Sequence, residues 1–144
     1  MKVQRILCPI DFSEPSTHAL EQAAQLARWY GARLAVLHVR PTVMVQPSEV
    51  PAGGPVAAWV TAELEDSRQR VAAACREVTA AGVDVEVLAA AGRPITEILA
   101  SAASPPADLV VIGTHGTSGF QHLVLGSVAE KVLRLSPCPV LTVP

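Results

Sequence analysis

Hydrophobic and polar positions along this chain switch repeatedly between two periods. Short apolar runs suited to strands alternate with longer stretches in which apolar residues recur every three or four positions, the spacing of a helix with one buried face. A first strand is predicted over residues 3–10. A first helix over residues 14–30 carries Ala19, Leu20, Ala23, Ala24, Ala27 and Tyr30 on one face, with Gly31 as its stop. Residues 34–39 form the second strand. Residues 41–55 hold four prolines and the pair Gly53-Gly54, a loop long for a strand-to-helix connection and so a candidate lid. The second helix follows, with Val60, Leu64, Ser67, Val71, Ala74 and Val78 as its inward stripe. The third strand covers residues 83–90, a short helix 95–102, the fourth strand 109–112, the last helix 127–135 and the last strand 140–143.

Five strands with a helix between each pair predict an α/β fold, a single doubly wound domain over residues 1–144 with a parallel sheet covered on both faces. Burial suggests the strand order. Strands one, two and four are nearly continuous apolar runs, as in Leu34-Ala-Val-Leu37 and Leu109-Val-Val-Ile112, which suits interior positions. Strand three alternates as Val83-Asp-Val85-Glu-Val87, and strand five follows Pro137 and Pro139, so both suit edges. Sequential strands tend to be neighbours, which leaves strand one in the middle and gives the order 3-2-1-4-5. That order reverses between strands one and four, where ligands of open α/β sheets bind beyond the carboxyl ends. Asp11 follows strand one and Gly113 follows strand four.

Composition narrows the classes. Of the 144 residues, 50% are hydrophobic but only 3% aromatic, which predicts an aliphatic core and a soluble globule. A net charge of −2 provides no basic field for nucleic acid. Charges, prolines and glycines break the apolar stretches well short of the ~20 residues that span a bilayer. Met1-Lys2-Val3 leads into a strand-like run without a small-residue cleavage site, so the expected compartment is the cytoplasm. Cys8, Cys75 and Cys138 are odd in number and widely spaced, and are expected as unreactive packed thiols.

The chemistry concentrates near the C-terminal end, where Gly113-Thr-His-Gly116 is followed by nine residues and then Gly126-Ser127 at the start of the last helix. A polyphosphate needs backbone N–H groups that it can approach without an intervening side chain, and it gains from the positive end of a helix. Ser127-Val-Ala-Glu130 equally reads as a capping box, with the hydroxyl taking a backbone N–H and Glu130 reaching back. That reading leaves Gly113, Gly116 and Gly119 unexplained, and the two readings are compatible. Asp11 either caps the first helix, in competition with Ser13, or accepts from a ribose hydroxyl or reaches a ligand-bound Mg²⁺. His38 is expected as a satisfied core residue, His18 and His122 as surface positions, and His115 as a donor to phosphate. No catalytic triad, nucleophile elbow, metal cluster or Walker-type loop is legible, so no catalytic or metal-ligating residue is assigned.

At these residues the chain resembles the universal stress protein family, in its nucleotide-binding branch, with an adenine nucleotide alpha hydrolase-like fold. The resemblance runs the whole length, through Cys8-Pro-Ile-Asp-Phe-Ser13, Leu34-Ala-Val-Leu-His-Val39, Val110-Val-Ile-Gly-Thr-His-Gly116, Leu125-Gly-Ser-Val-Ala-Glu-Lys-Val132 and Cys138-Pro-Val-Leu-Thr-Val143. It implies an ATP-binding homodimer. Pro9, Asp11 and Val39 would line the adenine and ribose, with Ile112 and Gly113 under the sugar and first phosphate. Gly116, Gly126, Ser127 and Val128 would cradle the phosphates. The last strand, Val140–Val143, would be the dimer edge. Where the family often has Arg or Lys after the second glycine this chain has Thr117, followed by Ser118. Phosphate neutralisation is then left to Mg²⁺, or ADP and AMP bind comparably to ATP. The function implied is a nucleotide-dependent stress-response or signalling module. The alternatives are a slow ATPase or self-phosphorylating enzyme and a nucleotide-free structural dimer.

Overall fold

Every apolar run marked as a strand forms one in the computed structural model, which describes residues 2–42, 55–116 and 125–144. The strands are β1 (Arg5–Ile10), β2 (Arg33–Pro41), β3 (Val85–Gly92), β4 (Leu109–Gly113) and β5 (Val140–Val143). They make one parallel sheet in the order β3-β2-β1-β4-β5, as expected from the contrast between continuous and interrupted apolar runs. The helices are α1 (Glu14–Tyr30), α2 (Val56–Ala74), α3 (Arg76–Ala80), α4 (Pro94–Ala103) and α5 (Ser127–Leu135). Most of the candidate lid at 41–55, together with Thr117, Ser118, Gly119 and His122, lies outside the described residues.

Alternation along β1 divides the core. Ile6, Cys8 and Ile10 pack with Ala19, Ala23 and Ala27 of α1 and with Val71 of α2, whereas Leu7 packs on the opposite face with Ile98 of α4 and Val132 of α5. The sheet is therefore covered on both faces, and its central strand is buried at every position.

Two inward stripes shift from expectation. Tyr30 is 51% exposed, because the chain turns left-handed at Gly31 (φ 63°) and presents Ala32 to the core instead. The second helix breaks at Cys75, whose backbone (φ −92°, ψ 0°) separates α2 from α3. The stripe advances by four residues from Val71 to Cys75, so Cys75 is buried and Ala74 exposed. Cys8 is likewise buried, and Cys138 is partly buried against the α4–α5 face. Burial pushes the Cys8 thiol far up and Cys75 to about 11, which keeps both as packing groups at neutral pH.

Candidate functional site

The site begins where β1 and β4 part. β1 pairs with β2 along all six of its residues, but with β4 only through Ile6 with Leu109 and Leu7 with Val110. Beyond Leu7 that side of β1 has no strand partner among the described residues. Gln4 O accepts from Arg33 N on the β2 side and Arg5 O from Asp108 N on the β4 side. Strand alternation then turns Pro9 toward the gap. Proline has no N–H, so no donor is stranded where the strands separate.

The chain beyond β4 forms the second wall. A Cβ on Gly113 would lie 2.8 Å from Pro15 C and 2.9 Å from Ser16 N, so the bare face of this glycine admits the first turn of α1. Thr114 N donates to Val143 O at 2.8 Å, tying this wall to β5. Gly126 N donates to Thr114 O at 2.6 Å, which returns the chain to the gap at the start of α5. Here the structure corrects the capping-box reading. Gly126, not Ser127, is the cap, Ser127 is already helical, and no side chain caps the helix. Glu130 points along the helix toward Arg134, at 3.7 Å, rather than back to the cap. The first helical bond is Glu130 N to Gly126 O at 2.9 Å. The N–H groups of Ser127, Val128 and Ala129 precede it and have no acceptor within the helix.

Asp11 does not cap α1; it holds the residue that does. Ser13 Oγ accepts from Ser16 N at 3.3 Å, while Asp11 Oδ1 accepts from Ser13 N at 3.0 Å and from the Ser13 hydroxyl. The other oxygen, Oδ2, lies beside Gly116, where a Cβ would approach it to 2.5 Å. Between Asp11 and Ser13, Phe12 adopts φ 64°, a left-handed conformation that a bulky residue adopts at a cost of about 1 kcal/mol or more.

His38 is buried and satisfied as expected, with Nδ1 3.1 Å from Ser67 Oγ on α2. Burial first, then the charges of Arg70 and Arg40, hold its pKa below the ordinary imidazole value. His18 is exposed, with Nδ1 3.2 Å from Pro144 O. His115 Nδ1 lies 3.1 Å from Thr114 Oγ1.

These walls enclose a cavity of ≈ 290 Å³. Pro9, Asp11, Val39, Ile112, Gly113, Gly116, Gly126, Ser127 and Val128 all line it, so the structure brings together every residue expected at the site. It adds residues that the motifs did not indicate: Pro41 at the end of β2 and Pro94 and Ile98 on α4. The signal for these was available, since Pro94 opens a helix just beyond the carboxyl end of β3 and Ile98 is one turn further on the same face. Among the described lining residues Asp11 is the one carboxylate, and none is lysine or arginine. The result is an apolar slot that ends at a helix N-terminus, with a carboxylate at its side.

The model of the universal stress protein family matches residues 2–144. Universal stress protein YxiE of Bacillus subtilis (strain 168) is 34% identical over 144 residues, covering 96% of this chain and 97% of the relative. Among solved structures, MJ0577 of Methanocaldococcus jannaschii superposes with a TM-score of 0.84 at 26% identity, covering 99% of this chain and 96% of that one. A universal stress protein solved in complex with cAMP superposes with a TM-score of 0.68 at 28% identity, covering 100% of this chain and 98% of that one.

Proposed function

This chain belongs to the universal stress protein family, and we propose that it binds an adenine nucleotide in the cavity between β1 and β4, acting as a nucleotide-dependent module of a stress response. One observation carries this reading: the N-terminus of α5, which no side chain caps, and the carboxylate of Asp11 share a single, otherwise mostly apolar cavity. Phosphate goes to the helix end, where several N–H groups and the dipole favour negative charge. The sugar goes to Asp11, because a carboxylate against a phosphate would repel it, and Gly116, which Asp11 Oδ2 adjoins, marks the boundary between sugar and phosphates. The base fills the slot among Pro9, Val39, Pro94 and Ile98. Ile112 and Gly113 lie under the sugar and first phosphate, and Gly116, Gly126, Ser127 and Val128 surround the phosphate tail. The structural relative solved with cAMP supports adenine as the base.

ATP with Mg²⁺ is the proposed ligand. No lysine or arginine occurs from Gly113 to Val128 in the sequence, so neutralisation falls to the ion. Among the described residues no three His, Cys, Asp or Glu side chains gather to cage a metal. That fits Mg²⁺, which keeps several waters and is often held chiefly by substrate phosphates. We take residues 1–144 as a single such domain.

Thermal denaturation with Mg-ATP, ADP, AMP and cAMP tests the reading. Wild type is expected to melt higher with nucleotide, and Gly126→Asp, which introduces a carboxylate at the phosphate end, to lose the shift. No shift of wild type with any adenine nucleotide would reject the proposal.

The second half of the proposal is a homodimer through β5, Val140–Val143. Among the described residues β5 pairs with β4 alone and exposes Leu141, and Leu133 and Leu135 of α5 are also exposed. An unpaired apolar edge is a template for a second strand. Light scattering of Leu141→Lys is expected to give a monomer where wild type gives a dimer; a monomeric wild type would reject this half.

A further inference from the structure

The left-handed residue beside the cavity is a phenylalanine, although glycine adopts that conformation without steric cost. Its ring meets two neighbours. The His38 imidazole lies 4.8 Å away, centroid to centroid, inclined at 54°, and the Arg70 guanidinium carbon sits 4.1 Å from the ring centroid. Both contacts are anchored elsewhere. His38 belongs to β2 and meets Ser67 of α2, and Arg70 lies three residues further along α2. An aromatic pair and a cation over a ring each contribute measurable attraction. Together they hold a backbone conformation that the residue would not adopt alone.

That conformation decides where the Asp11 carboxylate points. The left-handed turn at Phe12 brings the Ser13 N–H and hydroxyl back onto Asp11 Oδ1, which leaves Oδ2 beside Gly116. We propose that Phe12 and Arg70 are positioning residues for sugar selectivity: the contacts of the Phe12 ring with His38 and Arg70 fix the orientation of Asp11, and through it the discrimination of ribose from deoxyribose. The inference rests on the proposed nucleotide site and assigns its selectivity partly to α2, an element whose Arg70 does not line the cavity.

Calorimetric titration of the full chain with Mg-ATP, Mg-2′-deoxy-ATP and Mg-3′-deoxy-ATP tests it. Wild type is expected to prefer ATP over at least one deoxy analogue by about tenfold, the scale of one hydrogen bond to a charged group. Phe12→Gly keeps the turn without steric cost but removes the ring, and Arg70→Ala removes the outer cover at an exposed position. Both are expected to fold and to bind ATP with the preference reduced to about twofold. Phe12→Tyr and Arg70→Lys keep a ring and a cation and are expected to restore it. A merely structural role predicts changed melting temperatures with an unchanged preference. Wild-type preference retained in both Phe12→Gly and Arg70→Ala would overturn the inference, as would a wild type that binds all three nucleotides equally. A wild type that binds none would instead overturn the nucleotide site itself.

Discussion

The two ends of the sheet treat their backbone polar groups in opposite ways. At the amino end, Asp108 Oδ2 accepts from both Gln4 N at 2.8 Å and Arg5 N at 2.9 Å, so the first donors of β1 are satisfied by a side chain. The Arg5 guanidinium donates to Ser101 O at 3.1 Å and Pro105 O at 2.9 Å, acceptors left over where α4 ends, and reaches Glu86 at 3.5 Å. At the carboxyl end β1 leaves β4 after two pairs, and α5 starts with no side-chain cap. One end spends its polar side chains on its own backbone, whereas the other leaves the first N–H groups of α5 without a side-chain cap or an acceptor within the helix. The amino end should therefore govern stability and the carboxyl end binding.

The largest expected effect lies at the amino end. Arg5→Ala removes a buried guanidinium and orphans two carbonyls, and should lower unfolding free energy by about 3 kcal/mol in urea titrations. Nucleotide affinity of the folded protein should not change; a parallel loss of affinity would erase the division between the ends. Gly113→Ala is the deliberate exception. A Cβ there meets backbone of α1 that cannot swing aside, so this carboxyl-end substitution should cost about 2 kcal/mol of stability as well as affinity. Gly116→Ala is the opposite case. Its Cβ meets no backbone, only the carboxylate of Asp11, which must turn from its place in the site, so calorimetry should show affinity falling about fivefold, about 1 kcal/mol, with the melting temperature nearly unchanged.

Acidification should separate the ends with smaller effects. The folded state holds His38 below the ordinary 6.5, so the unfolded chain takes up its proton first, and stability should decline as pH falls through that value. His38→Gln should flatten this limb. Asp108 is held below the ordinary 3.8, chiefly by the N–H groups of Gln4 and Arg5. Its contribution is present above that value and is lost as pH falls through the lower, folded pKa. Asp108→Asn should remove only this second, more acidic decline. Denaturant melts across pH that show one limb, or both limbs altered by either substitution, would contradict the assignment.

Much of this arrangement is legible in the residues. The order of the sheet follows from the contrast between the unbroken runs of β1, β2 and β4 and the interrupted β3 and β5, because burial on two faces demands apolar residues at both parities. The spacing from Gly113 through Gly116 to Gly126-Ser127 marks a stretch of chain whose glycines and Ser127 line one cavity. Its mechanics are a different matter. Ser127 and Glu130 satisfy the pattern of a capping box, yet the cap is Gly126, because the bond from its N–H to Thr114 O sets where the helix begins. Gly113 reads as an opening for a ligand, and its bare face is filled by α1.

Periodicity and glycine spacing are local properties, carried by side-chain volume and backbone freedom within a few residues, and so the elements, their order and the region of the cavity are determined by the sequence alone. Which atoms meet there depends on segments far apart in the chain. Pro15 packing on Gly113, Arg70 covering Phe12 and Ile98 lining the same cavity as Pro9 all result from how α1, α2 and α4 seat on the sheet. No spacing rule encodes those distances, because they are settled by the simultaneous packing of both faces of the sheet.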